Sequence, residues 1–188
     1  MKEKYNKILI SASGFLKGNR MTELNAKLII GREEWCSFPE LGIHAIKARI
    51  DSGAKTSSIH AFNVQSFKRD KKSWVSFEIH PIQKNRRIVI KCEKPVIDKR
   101  AVKSSSGISE TRFVISTPIK IGKNTWDIEL TLANRDSMGF RMLLGREAMS
   151  GRVLVDPEQK YLLGEPTSDK LTELYKSSEK ATTGLRIG

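Results

Sequence analysis

The segment from residue 43 to residue 54 constrains the fold of this chain more than any other feature. Residues 46–50 alternate apolar side chains with basic ones, which predicts a β-strand with one buried face. The strand runs directly into Asp51-Ser52-Gly53-Ala54. Asp and Ser side chains bond nearby backbone groups and Gly permits a sharp reversal, so we expect a tight turn there. Such a turn either simply connects two strands at the surface or holds a carboxylate at a strand end for catalysis.

The strand pattern continues along most of the chain. Short β-branched segments recur between turn clusters from residue 26 to residue 164, which predicts a mostly β barrel or sandwich. The predicted strands span residues 27–30, 42–50, 57–64, 73–80, 87–93, 112–119, 125–132, 141–144 and 153–155. One short helix is predicted at residues 145–150.

The two ends of the chain lack this pattern. We expect residues 1–25 to be a flexible extension, residues 26–164 to form one domain and residues 165–188 to be a C-terminal tail. A helix at residues 167–181 is the alternative for the tail, but Pro166 and the Ser and Lys content favour a mobile segment. Ile29-Ile30-Gly31-Arg32-Glu33 resembles Leu143-Leu144-Gly145-Arg146-Glu147, but five residues are too few to infer a duplication.

The composition limits the classes of partner that the chain is expected to bind. Lys and Arg number 34 against 21 Asp and Glu, a formal charge of +13, which favours an anionic partner or else a merely solvated basic surface. No nucleic-acid-binding motif supports specific readout, and no apolar run reaches the ~20 residues of a membrane span. Cys36 and Cys92 lack CxxC spacing, so we expect reduced thiols in a cytoplasmic protein.

Three motifs in a fixed order carry a family resemblance. Asp51-Ser52-Gly53-Ala54 follows a strand, residues 103–109 are a candidate polar hairpin tip, and Leu143-Leu144-Gly145-Arg146 precedes a helix. This order resembles the retropepsin-like aspartic proteases. It is most similar to a bacterial branch labelled "ATP-dependent zinc protease", found beside the ligases that add glutamates to ribosomal protein S6. The resemblance covers residues 28–164 and implies an acid-protease barrel with one short helix after Leu-Leu-Gly-Arg.

The resemblance also implies roles for individual residues. Asp51 would be catalytic, and the residues that shape the site would be Ser52, Gly53, Ala54, Leu144 and Gly145. Ser52 stands where Thr is commoner in the family, which keeps the hydroxyl. A flap would bind the substrate through Arg100, Lys103, Ser104, Ser105, Ser106 and Gly107, unless this segment is a plain exposed hairpin. Basic candidates for an anionic subsite are Lys55, Arg112 and Arg141, which suits an acidic, glutamate-rich peptide.

A single Asp-Ser-Gly motif implies a second subunit. Hydrolysis of a peptide by carboxylates needs two of them sharing one proton. Because the chain contains only one such motif, the second carboxylate would be Asp51 of another copy, and we expect a homodimer.

No cofactor is predicted. The chain lacks H-E-x-x-H and both phosphate-binding glycine motifs, although a zinc site built from distant His and Cys residues stays open. The histidines are His44, His60 and His80, all in predicted strands. Two rival functions remain: a non-catalytic module that binds an acidic peptide or RNA, and a structural dimer without turnover.

Overall fold

The structure is a computed structural model that describes residues 27–83, 85–103, 107, 109–134 and 139–183. Strands dominate the described part of the chain, which confirms the prediction of a mostly β fold. Its helices are two α-helices and one turn of 3-10 helix. No helix in this part of the chain has the length and apolarity to cross a membrane.

A closed sheet forms the body of the molecule. Neighbouring strands follow the order β10-β4-β11-β3-β2-β9, and β9 also pairs with β10, so these strands close into a barrel. The barrel strands are β2 (Glu33–Phe38), β3 (Ile43–Asp51), β4 (Ser57–His60), β9 (Ser109–Ile121), β10 (Asn124–Ala133) and β11 (Met142–Gly145). β8 (Asp98–Lys103) extends the sheet beyond β9 as the first arm of a hairpin.

The barrel interior is aliphatic because alternate residues of each strand point inward. In β3 the side chains of Ile46 and Ala48 are buried while Arg49 is exposed, as the alternating sequence predicts. Ile59 and Leu144 are also fully buried in the same apolar cluster. This packing sets the register of β3, and therefore the place where Asp51 leaves the sheet.

Two smaller sheets flank the barrel. One is parallel and pairs β1 (Leu28–Gly31) with β12 (Val153–Asp156). The other is antiparallel and joins β5 (Phe62–Arg69), β6 (Lys72–Ile79) and β7 (Ile90–Pro95). The second sheet packs on the core through Val75, Phe77 and Ile79, while much of β5 is exposed.

Several boundaries differ from the prediction. The predicted strand 57–64 is two strands that separate at Ala61 and belong to different sheets, while β2 and β8 were not predicted at all. β2 was missed because two acidic residues open it. β8 was missed because it is rich in charge and is held by pairing with β9 rather than by burial.

One of the two α-helices agrees with the prediction from the sequence, and the other corrects it. α1 (Arg146–Met149) lies inside the predicted short helix. The mobile-tail prediction is wrong for α2 (Ser168–Thr183), because Leu171 and Tyr175, one turn apart, are buried. The Tyr175 hydroxyl donates to Ala45 O at 2.6 Å and accepts from Ala45 N at 2.9 Å, which fixes α2 on β3.

Candidate active site

Asp51 is the last residue of β3 and begins a tight turn. Its Oδ1 accepts hydrogen bonds from Gly53 N at 3.0 Å and Ala54 N at 3.1 Å. Within the described part of the chain, Oδ2 has no hydrogen-bond partner, and the residue is half-buried. The turn therefore orients the carboxylate by one oxygen and leaves the other available for chemistry.

Strand β11 supports this turn from behind. β11 runs parallel to β3 with Gly145 in register with Asp51, and the Gly145 N–H donates to the buried Ser57 Oγ at 3.1 Å. A Cβ added at Gly145 would lie 2.6 Å from Thr56 C and 2.9 Å from Ser57 N. Only glycine allows the chain after the turn to come this close, which explains why it stands in the Leu-Leu-Gly-Arg motif.

The residues after Gly145 hold the turn from the other side. Arg146 N donates to Ala54 O at 2.9 Å, and the Arg146 guanidinium donates to Gly53 O at 2.9 Å. The next residue, Glu147, lies 3.6 Å from the Lys55 ammonium. Arg146 and Glu147 were quoted in the sequence motif but given no role. Their signal was their position directly after Gly145.

A second turn repeats this arrangement elsewhere in the chain. In the β1–β12 sheet, Gly31 is in register with Asp156, as Gly145 is with Asp51. Asp156 Oδ1 accepts from Glu158 N at 2.9 Å, and Arg32 donates from its backbone to Gln159 O at 2.9 Å.

Further contacts of the second turn match those of the first. The Arg32 guanidinium donates to Glu158 O at 2.6 Å. A Cβ on Gly31 would lie 2.6 Å from Gln159 O, and Lys160 pairs with Glu33 at 3.1 Å. The five-residue similarity that was too short to show a repeat thus corresponds to a structural repeat. The second copy has Pro157 and Glu158 where the first has Ser52 and Gly53.

The predicted flap is a β-hairpin whose first arm reaches the Asp51 turn. β8 pairs with β9 out to Lys103 opposite Ser109. Arg100 donates to Thr56 Oγ1 at 3.4 Å and forms ion pairs with Glu129 at 2.5 Å and Asp98 at 2.6 Å. These hydrogen bonds raise the pKa of Arg100, and its guanidinium holds the pKa of Asp98 below the usual range. Arg100 is therefore anchored rather than free.

The remaining predicted site residues divide into three groups. Ser52 is exposed beside the turn, on a groove that it shares with α1, Val153 and Val155, and Gly107 is exposed with a φ of +83°. Lys55 lies at the site, and Arg112 is the cross-strand neighbour of Arg100. Ser104, Ser105 and Ser106 lie outside the described residues.

Arg141 is the predicted subsite residue that the structure places elsewhere. It is buried, directly before β11, and Gly145 is at the opposite end of that strand. Four residues of strand separate Arg141 from the Asp51 level by roughly 13 Å. The assignment of Arg141 to an anionic subsite stays a prediction.

The histidines and cysteines lie in the barrel and its neighbouring sheet. Phe62 stacks between His60 at 6.3 Å and His80 at 4.4 Å. Among the described residues, no group of three or more His, Cys, Asp or Glu side chains is arranged to hold a metal ion. Cys36 and Cys92 are unpaired, and burial raises the pKa of both thiols, that of Cys92 to about 12.

Relatives are found in sequence and in structure. Three are proteins named probable alpha-L-glutamate ligase, from Desulfotalea psychrophila (62% identity over 89% of this chain), Shewanella pealeana (57% over 86%) and Parasynechococcus marenigrum (56% over 87%). The matches cover 36%, 35% and 35% of those proteins, so the chain spans about a third of their length. The crystal structure of Lpg0085 from Legionella pneumophila, a protein of unknown function, shares the fold. It has a TM-score of 0.59 and 24% identity over 72% of this chain and 98% of its own.

The family model named RimB-like, described as the retropepsin-like aspartic endopeptidase RimB, matches residues 29–166. That segment contains the Asp51 turn, the hairpin and the Leu-Leu-Gly-Arg motif. The chain belongs to the RimB-like family of retropepsin-like aspartic endopeptidases.

Proposed function

We propose that this chain is an aspartic peptidase whose active form is a homodimer, with one Asp51 carboxylate from each subunit. The observation that carries the proposal is the Asp51 turn itself, with Oδ1 held by two backbone N–H groups and Oδ2 without a partner in the described structure. Only the Asp51 turn has the Asp-Ser-Gly sequence, since Pro157 and Glu158 follow Asp156, so a second copy of the chain would complete the pair.

The chemistry follows from bringing two such carboxylates together. Like charges at close range cannot both ionise, so the two carboxylates share one proton. The ionised carboxylate takes a proton from the attacking water, while the protonated one donates to the carbonyl oxygen of the scissile bond. The β8–β9 hairpin closes over the substrate and excludes bulk water, which strengthens these interactions.

The proposed partner surface adjoins the turn. The groove beside Ser52 is lined by α1 and by Val153 and Val155 of β12, and Val155 is 40% exposed. β12 has a paired neighbour in β1 on one side only within the described structure. An exposed apolar strand next to an incomplete site suits a second copy of this chain.

The proposed substrate is an acidic, glutamate-rich peptide. Arg100 and Arg112 are directly opposite each other across β8 and β9, so both side chains lie on one face of the hairpin. That face is turned towards the site, because Arg100 contacts Thr56 in the loop that follows Asp51. Arg100 is paired with Asp98 and Glu129, and Arg112 Nε with Glu110 at 2.8 Å. A substrate carboxylate would bind the guanidinium N–H groups that these pairs leave. The relatives named glutamate ligase are consistent with a chain of glutamates as the substrate.

The repeat of the turn offers a matched control for the test. Asp51→Asn and Asp156→Asn make the same chemical change in two turns that pair with a Gly-Arg-Glu segment in the same register. We expect Asp51→Asn to abolish cleavage of a glutamate-rich peptide, and Asp156→Asn to leave it near the wild-type rate. Activity of the wild type should persist in the presence of a chelator.

Other outcomes would redirect the assignment. Full activity of Asp51→Asn with loss on chelation would assign the reaction to a metal site. Peptide binding by the wild type without any turnover would favour the binding module.

A further inference from the structure

The outer face of the β5–β6–β7 sheet carries an aromatic platform that the proposed peptidase does not use. Phe67 and Trp74 are direct cross-strand partners, and Trp74 is in turn opposite Pro95. The two rings are stacked, with centroids 6.4 Å apart and planes inclined by 29°. The strands of this sheet pair with none of the strands that form the Asp51 site.

A planar cation covers the two rings. The Arg69 guanidinium carbon lies 4.6 Å from the centroid of Trp74 and 5.1 Å from that of Phe67. Glu93 holds it there at 2.7 Å, and the Arg69 side chain remains 45% exposed. A guanidinium fixed in a plane on aromatic rings offers a stacking surface to a nucleic-acid base.

The hairpin turn beside this platform is basic and strained. Asp70 and Lys71 form the two-residue turn between Arg69 and Lys72, and both adopt left-handed backbone conformations, with φ of 50° and 62°. Turns of this type favour glycine at the second central position. A lysine at this strained position is consistent with a binding role for its side chain. Lys71 and Lys72 are exposed and have no acidic partner among the residues that the structure describes.

We propose that the outer face of this sheet binds single-stranded nucleic acid, with bases stacked on the Arg69 guanidinium where it lies over Phe67 and Trp74, and with phosphates held by Lys71 and Lys72. Aromatic platforms beside cationic grooves are the common means of binding single strands without sequence preference. An acidic peptide would use the lysines but not the rings. The acidic side chains on the same face are paired, Glu93 with Arg69 and Glu78 with Lys91.

The test is fluorescence anisotropy of a labelled 12-nucleotide oligouridine at low salt, with the full chain. Trp74→Leu keeps an apolar side chain and should weaken binding by about tenfold, the value of one lost stacking contact. Lys71→Gln with Lys72→Gln, both at exposed positions, should weaken binding and flatten the log–log salt dependence by about 1.4, since each phosphate contact contributes about 0.7.

A second basic hairpin provides the control. Lys120→Gln with Lys123→Gln removes the same charge near the exposed β9–β10 turn, where no stacked ring pair lies in the described structure. This variant should bind oligouridine like the wild type. Absence of binding by the wild type would overturn the proposal. An equal loss in the control pair, or equally tight binding of a polyglutamate peptide at the platform, would do the same.

Discussion

Replacing Gly145 with alanine tests whether the Asp51 turn depends on close packing against the Leu-Leu-Gly-Arg motif. The new Cβ would lie 2.6 Å from Thr56 C, and ordinary contact begins at 3.4 Å, so the backbone after the Asp51 turn must move by about 0.8 Å. Overpacking of this kind costs about 1–3 kcal/mol of folding stability. A displacement near 1 Å at a catalytic group lowers the rate by roughly a hundredfold.

The structural repeat separates these two effects. Gly31→Ala produces the same 2.6 Å approach, to Gln159 O, but in the turn that carries Asp156. We expect Gly31→Ala to lose comparable stability while it keeps most of the peptidase activity. A Cβ on Gly139 meets nothing within 4 Å, so Gly139→Ala should match the wild type in both respects.

The assay combines urea unfolding, followed by tryptophan fluorescence, with peptide cleavage measured well below the unfolding transition. Gly145→Ala with wild-type stability and activity would refute the packing argument. Gly31→Ala with an activity loss as large as that of Gly145→Ala would refute the assignment of catalysis to the Asp51 turn alone.

Three further predictions concern other contacts. Tyr175→Phe should lower the free energy of unfolding at pH 7, because the Tyr175 hydroxyl is hydrogen-bonded to Ala45. Burial raises the Tyr175 pKa to about 12, so the wild type should lose stability as the pH rises from about 10 to 12. Unfolding measured across this pH range should show the loss in the wild type and not in the variant. Burial disfavours the charge of Glu33, but bonds from Tyr161 and Lys160 hold its pKa below the usual value, so its stabilisation is present above about pH 4.5 and is lost in acid. Glu33→Gln should therefore be less stable than the wild type at pH 7, and the difference should narrow as the pH falls below about 4.5, by the same measurement. Arg112→Gln should raise KM for a glutamate-rich peptide more than KM for the glutamine analogue of that peptide, and Arg112→Lys should restore part of this difference. Equal changes in KM for both peptides would contradict a contact between Arg112 and a substrate carboxylate.

The sequence was most informative where burial and periodicity coincide. In β3 the aliphatic side chains point inward and a turn-forming tetrapeptide follows, so the strand and the Asp51 turn were both predictable. The parallel pairing of β3 with β11 was not predictable from either segment, because it depends on a close approach across 94 positions of sequence, from Asp51 to Gly145.

Charged residues in paired strands account for many of the features that the sequence did not predict. Glu34 is fully buried, and its Oε1 accepts from Gly31 N at 2.9 Å and Leu162 N at 2.8 Å, so a carboxylate occupies an interior place in β2 that a polarity pattern assigns to solvent. Arg141 is likewise a buried basic residue at a position that a polarity pattern assigns to solvent. The second turn was hidden because several of its contacts are made by backbone atoms, and its sequence shares only Gly31-Arg32-Glu33, Asp156 and Lys160 with the first.

Subunit mixing is the most direct test of a site shared between two copies. A fixed amount of wild type is incubated with increasing amounts of Asp51→Asn under conditions that allow exchange, and cleavage of a glutamate-rich peptide is followed. Mixed dimers carry one carboxylate, so at ninefold excess of the variant we predict roughly a tenfold loss of activity per wild-type subunit. Activity that stays constant at every ratio would show that each chain works alone and would contradict the shared Asp51 pair.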